Sequence, residues 1–199
     1  MSHDGLARLD PRAASFAAHH RFEWGTWLAE GITWLGSSFV LIPLIAVLGG
    51  YFVIRRRDWT PLIRLAVALG GAIGLYNLGK LVVDRPRPPE RFRVGSVVPG
   101  GSFPSGHSAE ALAVWGMMAV LAAVLLTRRR WVPIVVAALV VLLVGVSRVY
   151  LDAHWLTDVL AGYAAGGCWL SAVVAVILWR GRLRWRSGPR RREPIRRRG

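Results

Sequence analysis

A chain of 199 residues has the length of one domain, but it is 54% hydrophobic with a mean hydropathy of +0.41, which excludes an ordinary water-soluble globule. The formal charge of +15 is no sign of nucleic acid, because residues 180 to 199 alone hold ten arginines against one acid, Glu193, with Trp185 the one aromatic among them. A single cysteine, Cys168, excludes an intramolecular disulfide framework and a Cys-based zinc cluster, and inside an apolar run it reads as a small buried residue.

Residues 1 to 30 form an N-terminal interfacial segment. No basic region leads there into an apolar core with an A-x-A site, so no cleavable signal peptide is expected. Phe16, Phe22, Trp24 and Trp27 are mixed with charges over residues 11 to 30, a pattern for an amphipathic helix lying on the membrane surface; a sixth, poorly hydrophobic span is the alternative. His19 and His20 are adjacent, so on a helix they point to different faces and make a poor metal pair.

Residues 31 to 180 contain five runs close to the roughly 20 residues that cross a hydrocarbon core of about 30 Å. They lie at about 33–54, 62–83, 108–127, 131–151 and 156–179. The expected fold class is therefore all-α, a polytopic membrane helical bundle. Arg55 to Arg57 separate the first two runs, Arg128 to Arg130 the third and fourth, and an Arg-rich tail, residues 181 to 199, follows the fifth. The positive-inside rule makes these three places cytoplasmic, with the tail near anionic lipid headgroups, and puts the N-terminus and residues 84–107 and 152–155 outside. Trp59, Trp131, Trp155 and Trp179 near the proposed ends fit an interfacial belt.

That zigzag collects polar residues at one depth. Lys80, the only lysine, is near the outer end of span two; Ser105, Gly106 and His107 open span three; Arg148 is near the outer end of span four; His154 and Asp158 open span five. Each alone has an ordinary explanation, such as a snorkelling charge or a helix cap. Together, ionisable groups at a bilayer imply a shared wet cavity. Cations neutralise phosphoryl oxygens, a helix start binds anions, and two histidines can serve as nucleophile and acid/base. His154 and Asp158 are one turn apart, so the carboxylate can accept the Nδ1 proton and leave Nε2 free to attack.

Three motifs occur in order: Lys80 through Arg87-Pro88 (K-x6-R-P), Pro104-Ser105-Gly106-His107 (P-S-G-H), and Ser147-Arg148 through His154 to Asp158 (S-R-x5-H-x3-D). By these the chain resembles the type 2 phosphatidic acid phosphatase (PAP2) superfamily of integral-membrane lipid phosphatases, over about residues 30 to 180. The spacing from Lys80 selects Arg87 and leaves Arg85 as a flanking surface charge. Many relatives have six spans and two cytoplasmic termini, where this chain reads as five.

The resemblance implies catalysis by His154, His107 and Asp158, phosphate binding by Lys80, Arg87, Ser105, Gly106 and Arg148, and neither metal nor cofactor. Its expected partners are the bilayer and a lipid phosphate. With Arg91 and Arg93 in the outer loop, the expected substrate is a polyprenyl pyrophosphate at the outer face of a bacterial inner membrane. Phosphatidylglycerol phosphate and phosphatidic acid are the alternatives. Of the other classes, a vanadate-dependent haloperoxidase would share the pocket but is soluble, and a non-catalytic protein that binds or transports anionic lipid needs no attacking histidine.

Overall fold

The computed structural model describes residues 5–89, 94, 100–126 and 128–186, with side chains up to residue 180. The Arg91 and Arg93 expectation and most of the tail, residues 187–199, lie outside the described residues. Among the described residues seven α-helices follow in order: α1 Leu9–His19, α2 Glu23–Thr33, α3 Ser38–Arg56, α4 Thr60–Val83, α5 Gly106–Leu125, α6 Trp131–Tyr150 and α7 Leu156–Arg186. Single 3-10 turns, Gly5–Arg8 and Trp34–Gly36, precede α1 and α3.

Helices α3 to α7 are the five long and apolar enough to cross a membrane among the described residues. At about 1.5 Å per residue even the 19-residue α3 reaches about 28 Å. Their boundaries have local causes. Ser37 caps α3, its hydroxyl accepting from Phe39 N at 3.2 Å. Pro61 occupies the first turn of α4, and Asp58 Oδ1 accepts from Thr60 N at 2.9 Å. Helix α4 stops at Asp84, whose φ of 33° is left-handed, just before Pro86.

Helix α5 is the most buried span and the hub, packing against α4, α6 and α7. Its approach to α7 depends on two small residues one turn apart. A Cβ at Gly162 would lie 2.4 Å from Ser105 O, and one at Gly166 2.5 Å from Ala109 O. The apolar core is built by Leu41, Leu65, Ala68, Val114 and Met117 from α3, α4 and α5. Large side chains such as Phe39, Val47, Ile54 and Leu81 point outward, between 70% and 84% exposed, as lipid-facing residues do.

Three expectations change. The N-terminal segment is two helices rather than one, and both pack on the bundle: α1 against α6 and α7, α2 against α6. Its histidines bond locally: His19 Nδ1 and His20 Nδ1 donate to the carbonyls of Ser15 and Phe16 one turn back, at 2.7 and 2.9 Å. Cys168 is exposed on α7 instead of buried, because the α7 face toward α5 is taken by Gly162 and Gly166. Trp155 is not a free belt residue either: its indole N–H donates to Pro86 O at 2.9 Å and its ring lies 5.6 Å below the Arg85 guanidinium.

Candidate active site

Adjacent spans run antiparallel, so the C-terminal ends of α4 and α6 and the N-terminal ends of α5 and α7 share one end of the bundle. Ser105 N donates to Asp158 O at 2.9 Å and binds the starts of α5 and α7 together. The structure brings the expected residues to this end. Lys80 is in the last turn of α4, Gly106 and His107 open α5, Arg148 is in the last turn of α6, His154 lies in the connection before α7, and Asp158 is in the first turn of α7.

The nucleophile candidate has a defined tautomer. His154 is 4% exposed; its Nδ1 is 2.8 Å from Ser102 O, an acceptor only, so Nδ1 carries the proton. Nε2 is then the acceptor, and Arg87 Nη1 donates to it at 3.3 Å. Asp158, expected to accept the Nδ1 proton, stands beside the ring as an ion-pair neighbour. Its Oδ2 is 3.7 Å from Nδ1, beyond a hydrogen bond, and is occupied by Trp155 N at 2.9 Å, while Oδ1 accepts from Arg85 Nη1 at 2.7 Å. Asp158 orders the loop and supplies a nearby negative charge, and the Ser102 carbonyl holds the ring.

The cations surround this ring. Arg87 is fixed by Ala153 O at 2.8 Å, Gly100 O at 3.3 Å and Gly101 O at 3.4 Å. Lys80 Nζ donates to the same Gly101 O at 3.2 Å and lies 5.9 Å above the Tyr76 ring. Arg148 is 7% exposed; its Nη1 donates to Thr33 Oγ1 at 2.9 Å, and its buried Nε has no hydrogen-bond partner among the described residues. His107 lies within reach of the charges of Arg148, His154, Lys80 and Arg87. The turn before α3 supports it from behind, since a Cβ at Gly36 would lie 2.8 Å from His107 O.

Ser105 is fully buried, and its oxygen accepts from Ser108 Oγ at 3.0 Å and Ser108 N at 3.5 Å as the cap of α5. The N–H groups of Gly106 and His107, at the first two positions, have no intrahelical acceptor and present the positive end of the helix dipole. Among the described residues no three of His, Cys, Asp or Glu gather as a metal site.

Burial lowers the His154 pKa to about 4; the Asp158 carboxylate opposes the fall, and the Arg148 and Arg87 charges add to it. Arg85 moves the other way. Burial disfavours its charge, but Asp10 and Asp158 outweigh this and raise it.

Arg85 is thus not a flanking surface charge. Its side chain is 16% exposed and forks between Asp10 Oδ2 and Asp158 Oδ1, both at 2.7 Å. Ser102, Thr33, Asp10 and the Arg21–Asp152 pair were also not foreseen from sequence. A buried-pair partner 75 residues away leaves no local spacing to detect, although a DRPRP run with two Arg-Pro pairs was a visible cue to two functions.

Comparison with known proteins identifies the family. The family model described as "PAP2 superfamily" matches residues 61–182. Phosphatidylglycerophosphatase B of Bacillus subtilis is 37% identical over 166 residues, covering 82% of this chain and 80% of that protein. An undecaprenyl-diphosphatase of Sulfolobus acidocaldarius is 32% identical over 140 residues, covering 68% of this chain and 62% of that one. A crystal structure of a transmembrane PAP2 type phosphatidylglycerolphosphate phosphatase from Bacillus subtilis superposes with a TM-score of 0.80 at 30% identity, covering 88% of each chain. Aquifex aeolicus LpxE has the same fold, with a TM-score of 0.69 at 21% identity over 84% of this chain and 95% of that one. With five candidate spans, the three motifs gathered at one end and the family model matched across four of those spans, this chain is an integral membrane protein and belongs to the PAP2 superfamily.

Proposed function

We propose that the chain is a membrane lipid phosphatase that hydrolyses a phosphate monoester through a phosphohistidine on His154. The observation that carries the reading is the His154 tautomer: Nδ1–H is held by Ser102 O, so the Nε2 lone pair faces Arg87 in a ring of cations. In the first step Nε2 attacks phosphorus, the bond from phosphorus to the lipid oxygen breaks, and His107 gives that oxygen its proton. In the second, His107 takes a proton from water, whose oxygen attacks phosphorus; the P–N bond breaks and inorganic phosphate leaves. Lys80, Arg87, Arg148 and the N–H groups that open α5 hold the non-bridging oxygens. Arg148 Nε is a buried donor suited to one of them. Ser105 acts by capping α5. The steps need no metal, because the cations supply the charge neutralisation.

Phosphatidylglycerol phosphate is the favoured substrate. The polyprenyl pyrophosphate expected from sequence becomes the second reading. The relative at 37% identity and the structural neighbour at TM-score 0.80 both carry names of the first kind; the 32% identical diphosphatase supports the second. The site faces outward from a bacterial inner membrane, with the C-terminal tail on cytoplasmic anionic lipid.

Phosphate release from phosphatidylglycerol phosphate, phosphatidic acid and a polyprenyl pyrophosphate, measured with purified protein and EDTA, tests this. Turnover should persist in EDTA, be fastest on phosphatidylglycerol phosphate, and vanish in His154→Ala. Strong metal dependence, or an active His154→Ala enzyme, would refute the mechanism.

A further inference from the structure

The family match begins at residue 61, yet two buried ion pairs reach the His154 loop from residues well before it. In the first, Asp10 of α1, 2% exposed, accepts from Thr157 N at 2.9 Å, Thr157 Oγ1 at 2.6 Å and Arg85 Nη2 at 2.7 Å. Arg85 Nη1 continues the chain to Asp158 Oδ1 at 2.7 Å. In the second, Arg21, between α1 and α2, donates through Nη2 to Asp152 Oδ2 at 2.6 Å and to Tyr150 O at 2.8 Å. Asp152 is fully buried and has a left-handed φ of 50°. The two pairs therefore grip the chain two residues before His154 and four residues after it.

A helix that merely rested on the membrane surface would need neither pair. Helix α1 already packs against α6 and α7, with Ala14 and Ala17 buried. Burying charges costs desolvation that their attraction only partly returns, so two such pairs are poorly explained as adhesion. They are better explained by what they hold. Other bonds of the loop from 151 to 155 run to the bundle itself, among them Leu151 N to Ser147 O, Ala153 N and His154 N to Arg148 O, Arg87 to Ala153 O, His154 Nδ1 to Ser102 O and Trp155 Nε1 to Pro86 O; the two pairs add a hold from the N-terminal segment on either side of His154. In-line attack tolerates little error, a displacement of about 1 Å costing about a hundredfold in rate.

We infer that the N-terminal segment is a strap that positions the His154 loop, with Asp10 and Arg85 setting its far side and Arg21 and Asp152 its near side. All four are positioning residues and touch no substrate. The inference rests on the reading of His154 as nucleophile. Arg85 is suited to its place because a planar fork can serve two carboxylates at once, which an ammonium at the same distance cannot match.

The test uses full-length Asp10→Asn and Arg21→Gln enzymes in detergent, with short-chain phosphatidylglycerol phosphate, rapid quench for phosphohistidine, and thermal unfolding. Each variant should lose about tenfold or more in kcat with KM within about twofold of wild type. Phosphohistidine should form more slowly by the same factor, and the unfolding midpoint should stay near that of wild type. An unchanged kcat in both variants would overturn the strap, as would a lowered midpoint with kcat per folded enzyme unchanged. Failure of both to fold would overturn it too, by assigning the pairs to the fold as a whole; if one fails, the other decides. Wild-type turnover without phosphohistidine on His154 would instead overturn the nucleophile reading beneath it.

Discussion

A histidine that attacks phosphorus must offer an unprotonated Nε2, and the surroundings of His154 secure this twice, by tautomer and by charge. With a pKa of about 4 in place of 6.5, the ring gains little at pH 7, where about three-quarters of an ordinary imidazole is already neutral. At pH 5 the neutral fraction rises from about 3% to about 90%. With His154 as nucleophile, the lowered pKa should preserve activity as pH falls, until the ring protonates near 4. Once the substrate's own second ionisation near pH 6 is corrected for, the acid limb of kcat/KM should lie near pH 4. A profile measured from pH 3.5 to 8 checks this, and a residual limb at 6.5 would show that His154 is not held neutral by its surroundings. At this scale the sequence revealed side chains and not their partners. The spacing from Lys80 identified Arg87, but the acceptor that sets the tautomer is a carbonyl, which every residue has, and it happens to belong to Ser102. Helical spacing and the family resemblance point to Asp158 for that task, and neither shows that Arg85 and Trp155 N occupy its oxygens.

The spans were legible because a bilayer permits few alternatives: an apolar run of sufficient length must be helical to satisfy its backbone. Their ends depended on chemistry the runs do not show. The first span, expected from about residue 33, begins at Ser38 because Trp34–Gly36 forms a separate turn, where a Cβ on Gly36 would meet Val144 at 2.5 Å. Which helix faces meet was not legible, since hydropathy is similar on lipid-facing and buried sides. Gly162 is the position where this matters most for the site. A Cβ there would lie 2.4 Å from Ser105 O and 2.9 Å from Ser108 Cβ, so α7 must move off α5 at the level where Ser105 and Asp158 are joined. Gly162→Val should cost on the order of 1–3 kcal/mol or more and lower kcat with it, because His154 and His107 are carried by the two separated elements. Gly74→Ala is the matched control: nothing lies within 4 Å of its Cβ, and both activity and unfolding midpoint should be retained. Equal behaviour of the two variants in detergent would dissociate the α5–α7 contact from catalysis.

For the whole molecule, the two ends of the bundle differ in charge and in aromatic surroundings. The end away from the site bears Arg55 to Arg57, Arg128 to Arg130 and Arg180, with Trp59, Trp131 and Trp179 each about 60% exposed. The site end bears the two N-terminal helices, with Phe16, Trp24 and Trp27 between 66% and 70% exposed. Exposed aromatics at both ends of five candidate spans suit two interfacial belts, and the arginine clusters fit the bias that sets orientation in short loops. An outward site can act on lipid phosphates of the outer leaflet while the product lipid stays in the bilayer. Cysteine labelling in intact cells tests this orientation. With Cys168→Ser as background, Glu23→Cys should react with a membrane-impermeant maleimide before permeabilisation, whereas Asp58→Cys and Arg129→Cys should react only after it. All three positions are exposed, so reactivity reports the side of the membrane and not burial in the fold. The reverse pattern would turn the site toward the cytoplasm, where it would meet lipids of the inner leaflet and leave the arginine clusters on the side that the positive-inside rule disfavours.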